Sequence, residues 1–345
     1  MGHDVETAGE TIMISNRVIF ALPIGAIFSA LLWQPVVAQV VAPDGKWEQV
    51  ASGGEGTAEG VVAGKDGAIY FDDLAPPGKI FRFDPKTGKA EILMATSNMA
   101  NGMHVDRNGD LLMGLGLPGK QMLAKRDMKT GEVTKLVDRY EGKSLISPND
   151  ITTDDSGRIY FTDGRFNQIA EPELPNAIYR LDPDGSLTRL ATDMGRPNGI
   201  EVSPDGKRLY VAITTLAHLK PNPHNTRDEF GITRGGIILY DLDESGSISK
   251  GRVFYRTAAA ASDGTAMDVD GNLYTAANDR SNGGKEVVAL RPDGSVLQQL
   301  PLPSAGLPVQ LGFGRGDDSS TLYLSTALPW GLWKIKTNVK GFYRN

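Results

Sequence analysis

The sequence lacks cysteine altogether, which excludes disulfide bonds, a thiolate nucleophile and cysteine ligands for a metal. This absence also fits an exported protein that avoids stray disulfides. Basic residues are not in excess, since 36 lysines and arginines stand against 42 aspartates and glutamates, giving a net charge of -6. No basic stripe of the kind that follows a phosphate backbone occurs, so we expect no nucleic-acid partner.

The composition argues against long helices. The chain contains 41 glycines and 20 prolines, and its aromatic residues are scattered along the whole length. This is typical of many short strands joined by tight turns. The apolar fraction of 40% supports a sizeable core, and 345 residues would suit one large domain or two small ones.

The main hydrophobic run covers residues 18–33 and is shorter than the ~20 residues that a membrane-spanning helix needs. Arg17 precedes it, and the small residues Val36 and Ala38 occupy positions typical of a cleavage site. We interpret residues 1–38 as a secretory signal peptide. This predicts a periplasmic or secreted protein without membrane attachment after cleavage, and the alternative is an uncleaved N-terminal anchor.

The rest of the chain contains an internal repeat. Five copies align on their turns, and a degenerate sixth copy begins at Val309. The five copies are EGVVAGKDGAIYFDD from Glu59, NGMHVDRNGDLLMG from Asn101, NDITTDDSGRIYFTD from Asn149, NGIEVSPDGKRLYVA from Asn198 and DGTAMDVDGNLYTAA from Asp263.

Each copy is a half-buried strand, a turn on Asp-Gly, Asn-Gly or Ser-Gly, and a second strand, with further strand patterns after it. Four antiparallel strands per repeat, at this spacing, are typical of propeller blades. The sequence therefore predicts an all-β fold, a six-bladed β-propeller with four-stranded antiparallel blades, as a single domain over residues 39–345. The segment WEQVAS (47–52) is expected to supply the outer strand of the last blade and close the ring.

Each of the five full copies begins with an oxygen-bearing side chain, which we call its leading residue, seven residues before its turn dipeptide. With one hairpin register, these side chains lie at equivalent heights on neighbouring inner strands and converge on the propeller axis. Asn-Gly is also a strong turn signal, but every copy already has its turn. The leading residues are Glu59, Asn101, Asn149, Asn198 and Asp263.

Two carboxylates and two or three amide carbonyls form a donor set typical of a hard cation. We expect one divalent metal ion, with Ca²⁺ as the first choice and Zn²⁺ or Mn²⁺ as alternatives. Glu59 and Asp263 would balance its charge. The site would keep positions open for water or substrate.

At these residues the chain resembles the SMP-30/gluconolactonase/luciferin-regenerating-enzyme family of six-bladed propellers. The resemblance covers about residues 46–340, through EG at 59, PND at 148, RPNGIEVSPDGKRLYV at 196 and SDGTAMDVDGNLY at 262. It implies hydrolysis of a lactone, commonly a sugar lactone. It also implies an axial divalent metal held by Glu59, Asn149, Asn198 and Asp263, with Asn101 contacting substrate or metal-bound water.

The expected chemistry is polarisation of the lactone carbonyl by the ion, with a carboxylate accepting a proton from the attacking water. Asp263 is the candidate base, although it is also a predicted ligand. Asp150 is the alternative, and strand alternation predicts that it points away from the axis. The sixth copy offers no polar leading residue.

Two long loops at the ligand end, residues 164–176 and about 213–236, are expected to select the substrate. They contain the candidate substrate contacts Arg165, His218, His224 and Arg227, and Asp150 and His104 are further candidates on the inner strands. His104 lies near the start of an inner strand and could face the channel or the sheet interior. Trp330 and Trp333 are predicted to pack within blade six.

Four functions stay open at this point. The first is a metal-dependent lactonase acting on a sugar or small aliphatic lactone, as a monomer or weak homo-oligomer. The second is hydrolysis of phosphotriesters at the same metal site. The third is a non-catalytic propeller that binds a small ligand or partner and is braced by the ion. The fourth is a metal-free propeller enzyme of the strictosidine-synthase type.

Overall fold

The computed structural model describes residues 39–166, 171–215, 221–225, 229–278, 285–303 and 306–344. The predicted signal peptide, residues 1–38, lies outside the described residues. Gln39–Asn345 group together as one unit by their internal contacts. Among the residues that the structure describes, no helix has the length and apolar character required to cross a membrane.

The first strand, β1 (Glu48–Ser52), precedes five complete four-stranded antiparallel sheets. Blade 1 contains β2 (Val62–Ala63), β3 (Ile69–Asp73), β4 (Lys79–Asp84) and β5 (Lys89–Met94), and blade 2 contains β6 (Ala100–Val105), β7 (Leu111–Leu115), β8 (Met122–Arg126) and β9 (Val133–Val137). A small hairpin of β10 (Arg139–Tyr140) and β11 (Lys143–Ser144) follows. Blade 3 contains β12 (Pro148–Thr153), β13 (Ile159–Asp163), β14 (Ala177–Leu181) and β15 (Leu187–Ala191).

The second half of the ring repeats this order. Blade 4 contains β16 (Pro197–Val202), β17 (Arg208–Ile213), β18 (Gly236–Asp241) and β19 (Arg252–Arg256), and blade 5 contains β20 (Ala261–Met267), β21 (Leu273–Asn278), β22 (Lys285–Leu290) and β23 (Val296–Pro301). Blade 6 contains β24 (Leu307–Phe313), β25 (Thr321–Ala327) and β26 (Gly331–Lys336), with a 3₁₀ turn at Gly316–Asp318 between its first two strands.

The ring closes through β1, which pairs antiparallel with β26 and completes blade 6 as its fourth strand. The six inner strands also contact their neighbours all the way round, including β24 with β2. The six-bladed propeller with four-stranded antiparallel blades is therefore confirmed, as is the closing role of the segment after Trp47.

The turns behave as their sequences predict. In the turn between β12 and β13, Gly157 adopts a φ of +81°, which a residue with a side chain rarely does. Asp154 holds this turn, since its Oδ1 accepts the backbone N–H groups of Ser156 and Arg158, and its Oδ2 accepts the Tyr160 hydroxyl at 2.9 Å. The same Asp–Tyr contact recurs in blade 5. The hairpins of blades 3 and 5 are thus fixed at the end of the channel opposite the leading residues.

The C-terminal segment closes that opposite end of the channel. The backbone N–H of Phe342 donates to Met267 of blade 5, and the Tyr343 hydroxyl donates to the carbonyl of Phe313 in blade 6. Arg344 reaches across to Asp155 of blade 3 at 2.8 Å. The last residues therefore connect three blades beneath the axis.

The hydrophobic core consists of side chains packed between neighbouring blades. Trp330 was predicted to pack within blade six, and it fills the interface between blade 6 and blade 1. Its ring lies 5.5 Å from the rings of Phe71 and of Phe81, and its Nε1 donates to the backbone oxygen of Asp72 at 3.2 Å. Trp333 lies on β26 and donates to Thr326 within blade 6.

We predict that Trp330→Ala lowers the free energy of unfolding by about 3–5 kcal/mol, because it removes a buried ring at the closing interface. Trp330→Phe, which keeps an aromatic ring and loses the Nε1 donor, should cost less. Urea unfolding followed by circular dichroism measures both. A loss for the alanine variant no greater than that of an exposed substitution, within ~0.5 kcal/mol, would contradict this packing role.

Candidate functional site

The inner strands share an irregularity at the leading residues. Pairing with the second strand shifts register between Pro148 and Ile151 in blade 3, and likewise at the equivalent points of blades 2, 4, 5 and 6. A bulge of this kind breaks the alternation of side chains between two faces. The expectation that Asp150 points away from the axis was wrong for this reason, since its carboxylate lies in the axial channel.

A group of carboxylates meets at the axis around Glu59. Burial raises the pKa of Glu59 well above its usual range, and the neighbouring carboxylates of Asp263, Asp72 and Asp150 raise it further. Burial is also the main cause of the raised pKa of Asp72, whose Oδ1 accepts the Glu59 backbone N–H at 2.8 Å. Four acidic side chains therefore share one small region, in which ionisation is costly without a cation.

Asp263 is fixed by two amides. Its Oδ1 accepts Asn198 Nδ2 at 2.5 Å, and its Oδ2 accepts Asn278 Nδ2 at 3.1 Å. Asn198 Nδ2 also donates to Thr214 Oγ1 at 3.1 Å. In this orientation Asn198 offers a donor to the axis, and a half-turn of its amide would present the oxygen that a cation requires.

Two other leading residues already present oxygens without partners. Asn149 Oδ1 and Asn101 Oδ1 are buried and accept no hydrogen bond, and the same holds for Asp72 Oδ2. Buried polar atoms are normally satisfied, so unpaired acceptors beside several carboxylates fit a bound cation. Within the described ranges, no three His, Cys, Asp or Glu side chains form a metal-binding group. A cation here would therefore depend on the asparagine oxygens.

The family is decided by a match over most of the propeller. The profile of the SMP-30/Gluconolactonase/LRE-like region matches residues 57–328. The chain belongs to this family. The resemblance noted at the EG, PND and RPNG motifs is thereby confirmed.

Proteins similar to this chain over most of its length include several that are named lactonases. The gluconolactonase of Zymomonas mobilis is 28% identical over 317 residues, covering 84% of this chain and 78% of the relative. The pentonolactonase XacC of Haloferax volcanii is 27% identical over 268 residues, covering 75% and 77%. A solved gluconolactonase structure from Xanthomonas campestris superposes with a TM-score of 0.71 at 24% identity, over 86% of this chain and 91% of that one, and so supports the fold.

This SMP-30/gluconolactonase propeller has a cavity of about 60 Å³ on the axis, lined by both polar and apolar side chains. His104 lines it, about 10 Å further along the strand than Asn101, and its Nε2 lies 3.0 Å from Thr153 Oγ1. Burial, followed by the charges of Arg315 and Arg344, lowers the pKa of His104 to about 3. His104 therefore faces the channel as a neutral side chain, below the predicted metal layer.

The two long loops are braced against each other by residues predicted to contact substrate. The Arg165 guanidinium is buried, and it donates to both carboxylate oxygens of Glu171 and to the backbone oxygen of Pro221. His224 Nε2 lies 2.7 Å from the Pro172 carbonyl oxygen. In this arrangement both side chains connect the first long loop to the second or to a neighbouring part of it. His218 and Arg227 lie outside the described residues.

Three polar residues at the axis were missed by the sequence analysis: Asp72, Asn278 and Gln310. Asp72 lies 13 residues after Glu59, as Thr162 does after Asn149, so aligning the second strands would have found it. Gln310 follows Val309, which occupies the apolar leading position of the sixth copy. In blade 6 the leading position itself is apolar, and the polar side chain comes from the next residue, Gln310.

Glu201 lines the cavity, and the pH dependence of stability tests whether its carboxyl group is protonated in the folded protein. Burial, followed by the nearby Asp150 carboxylate, raises its pKa to about 8, while Thr152 and Arg344 oppose the rise. A carboxyl with a raised folded pKa stabilises the fold at low pH, and this stability is lost as the pH rises from its ordinary value of 4.5 through about 8.

We therefore predict that Glu201→Gln raises the melting temperature of chelator-treated protein at pH 9 by about 5 °C, with a much smaller change at pH 5. Differential scanning calorimetry at both pH values measures the effect. Glu244→Gln, a change in an exposed turn, is the matched control. A Glu201→Gln protein that is less stable than the parent at pH 9 would contradict the assignment.

Proposed function

We propose that the protein is a metal-dependent hydrolase that opens a lactone ring, of a sugar or of a small aliphatic lactone. The observation that carries the proposal is the buried group of oxygens at the axis, in which Asn149 Oδ1 lacks a partner beside several carboxylates. Relatives named gluconolactonase and pentonolactonase, aligned over most of the propeller, support the lactone as substrate class.

Glu59, Asn149, Asn198 and Asp263 would hold one divalent ion. Their oxygens and the flexibility of the asparagine amides favour Ca²⁺, with Zn²⁺ or Mn²⁺ as alternatives. Such an ion supplies a Lewis acid for the carbonyl oxygen of the lactone. Export through residues 1–38 would place this reaction in the periplasm or outside the cell.

The protein's own contribution begins with Asp263. The amides of Asn198 and Asn278 fix the orientation of its carboxylate, so a water beside it can give up a proton to a carboxylate oxygen. The oxygen of that water then bonds to the carbonyl carbon, the ring C–O bond breaks, and the proton held by Asp263 passes to the departing ring oxygen, which regenerates the carboxylate. The product is a hydroxy acid, which releases one proton at neutral pH.

Asn101 is the proposed contact for the substrate or for the attacking water. Its Oδ1 is buried and unpartnered, and it comes from blade 2, between the ligands from blades 1 and 3. An acceptor in this position can orient an O–H group of either molecule. The substrate itself would enter from the end of the channel where the two long loops lie.

We predict that chelator-treated protein loses lactone turnover and regains it with added Ca²⁺, and that Asp263→Asn lowers kcat by about 10²–10⁴-fold because it removes the proton acceptor. Proton release from a panel of aldonolactones and aliphatic lactones measures both effects. Asp270→Asn, an exposed change in the turn of the same hairpin, should turn over like the parent protein.

Two outcomes of this assay would overturn the proposal. Full activity of Asp263→Asn would remove its catalytic role. Tight cation binding with no turnover of any lactone would leave a binding propeller, or a phosphotriesterase if phosphotriesters are hydrolysed in the same assay.

A further inference from the structure

The axial channel is crossed by one pair of side chains. Six positions directly follow the leading positions, and four of them are glycine. The six are Gly60, Gly102, Asp150, Gly199, Gly264 and Gln310. The two side chains come from blades 3 and 6, which stand opposite each other in a ring of six. We call Asp150 and Gln310 the axial pair.

The axial pair is held in one orientation. Gln310 Nε2 lies 2.7 Å from both carboxylate oxygens of Asp150. Gln310 Oε1 accepts the backbone N–H of Leu311 at 2.7 Å. Since a backbone N–H can only donate, this bond sets which end of the amide faces Asp150. The Asp150 backbone N–H in turn donates to Thr162 Oγ1 at 3.1 Å.

The glycines leave the room that the axial pair needs. A Cβ on Gly102 would lie 2.3 Å from Asp150 Oδ1, and a Cβ on Gly264 would lie 1.9 Å from Gln310 Oε1. Both separations are far inside van der Waals contact, so a side chain at either position would displace the pair. The positions around the pair thus leave the centre of the channel to Asp150 and Gln310.

Among the residues that the structure describes, no basic side chain forms an ion pair with the carboxylate of Asp150. Both members of the axial pair are nevertheless buried, with relative exposures of 5% and 7%. The negative charge of Asp150 contributes to the raised pKa of Glu59 and of Asp72 at the axis. An unpaired buried carboxylate is costly, and a nearby cation would offset that cost.

We propose that Asp150, held across the ring by Gln310, is a positioning residue that strengthens cation binding at the leading residues without being a ligand itself. This inference rests on the proposed function, because it presumes a cation at Glu59, Asn149, Asn198 and Asp263. The bonds from Gln310 keep the Asp150 carboxylate at the axis, close enough to Glu59 to act on it electrostatically. Its negative charge then acts on the cation through space.

The test is calorimetric titration of chelator-treated protein with Ca²⁺. Asp150→Asn keeps the size and one acceptor for Gln310 while removing the charge, and it should weaken the Kd by about 10- to 100-fold, the range found for residues that support metal ligands. Gln310→Met, which removes the donor at similar length, should weaken it in the same direction. In the double variant the Gln310→Met change should have little further effect.

A second readout separates charge from simple structural support. Without cation, Asp150→Asn relieves repulsion among carboxylates, so its melting temperature should equal or exceed that of the parent, while its gain on adding Ca²⁺ should be smaller. A merely structural hydrogen bond predicts a lower melting temperature without cation. Asp154→Asn is the control, because this buried carboxylate is paired with Arg158 at the opposite end of the strand. It should leave the Ca²⁺ affinity unchanged.

The outcomes distinguish this inference from the proposed function. If the parent protein binds no divalent cation, both are wrong. If the parent binds Ca²⁺ and Asp150→Asn binds it equally well, only the role of the axial pair is wrong. Complete loss of binding in Asp150→Asn, with no effect of Gln310→Met, would make Asp150 a ligand and would also overturn the inference.

Discussion

The close approach of six inner strands around one axis is the constraint on which the rest of the structure depends. No blade could bury its inner strand alone, and the ring closes only because β1 completes blade 6. Near the axis the strands come so close that a Cβ on Gly199 would lie 2.5 Å from the backbone oxygen of Asp263. Equivalent positions of different blades therefore meet, and side chains far apart in sequence become one site.

The side chains that meet at the axis are mostly carboxylates and amides. The carboxylates of Asp72, Asp150 and Asp263 interact electrostatically with Glu59, and burial makes the ionisation of Glu59 and Asp72 costly. Amides from Asn198, Asn278 and Gln310 donate to two of these carboxylates but carry no charge. The amides keep Asp150 and Asp263 in fixed orientations, and the cation of the proposed function would offset the negative charge collected at the axis.

The phase of the repeat was sufficient to predict the propeller, its closure and the proximity of Glu59, Asn198 and Asp263, because a constant seven-residue offset fixes the hairpin register. The orientation of Asp150 could not be predicted in this way, since it depends on a bulge that strand alternation does not reveal. Gln310 was missed because its copy begins with Val309, and the contact with Asp150 joins opposite blades. The roles of Arg165 and His224 depend on how two loops pack, which no local pattern encodes.

The most direct test of the account is X-ray diffraction from crystals soaked in Ca²⁺ or Mn²⁺, with an anomalous difference map to locate the ion. The account predicts a single axial peak whose ligand oxygens, from Glu59, Asn149, Asn198 and Asp263, lie about 2.3–2.6 Å from Ca²⁺. It also predicts that Asn198 turns its Oδ1 toward the ion. An axis without a peak, at which Asn198 Nδ2 still donates to Asp263, would contradict the central claim.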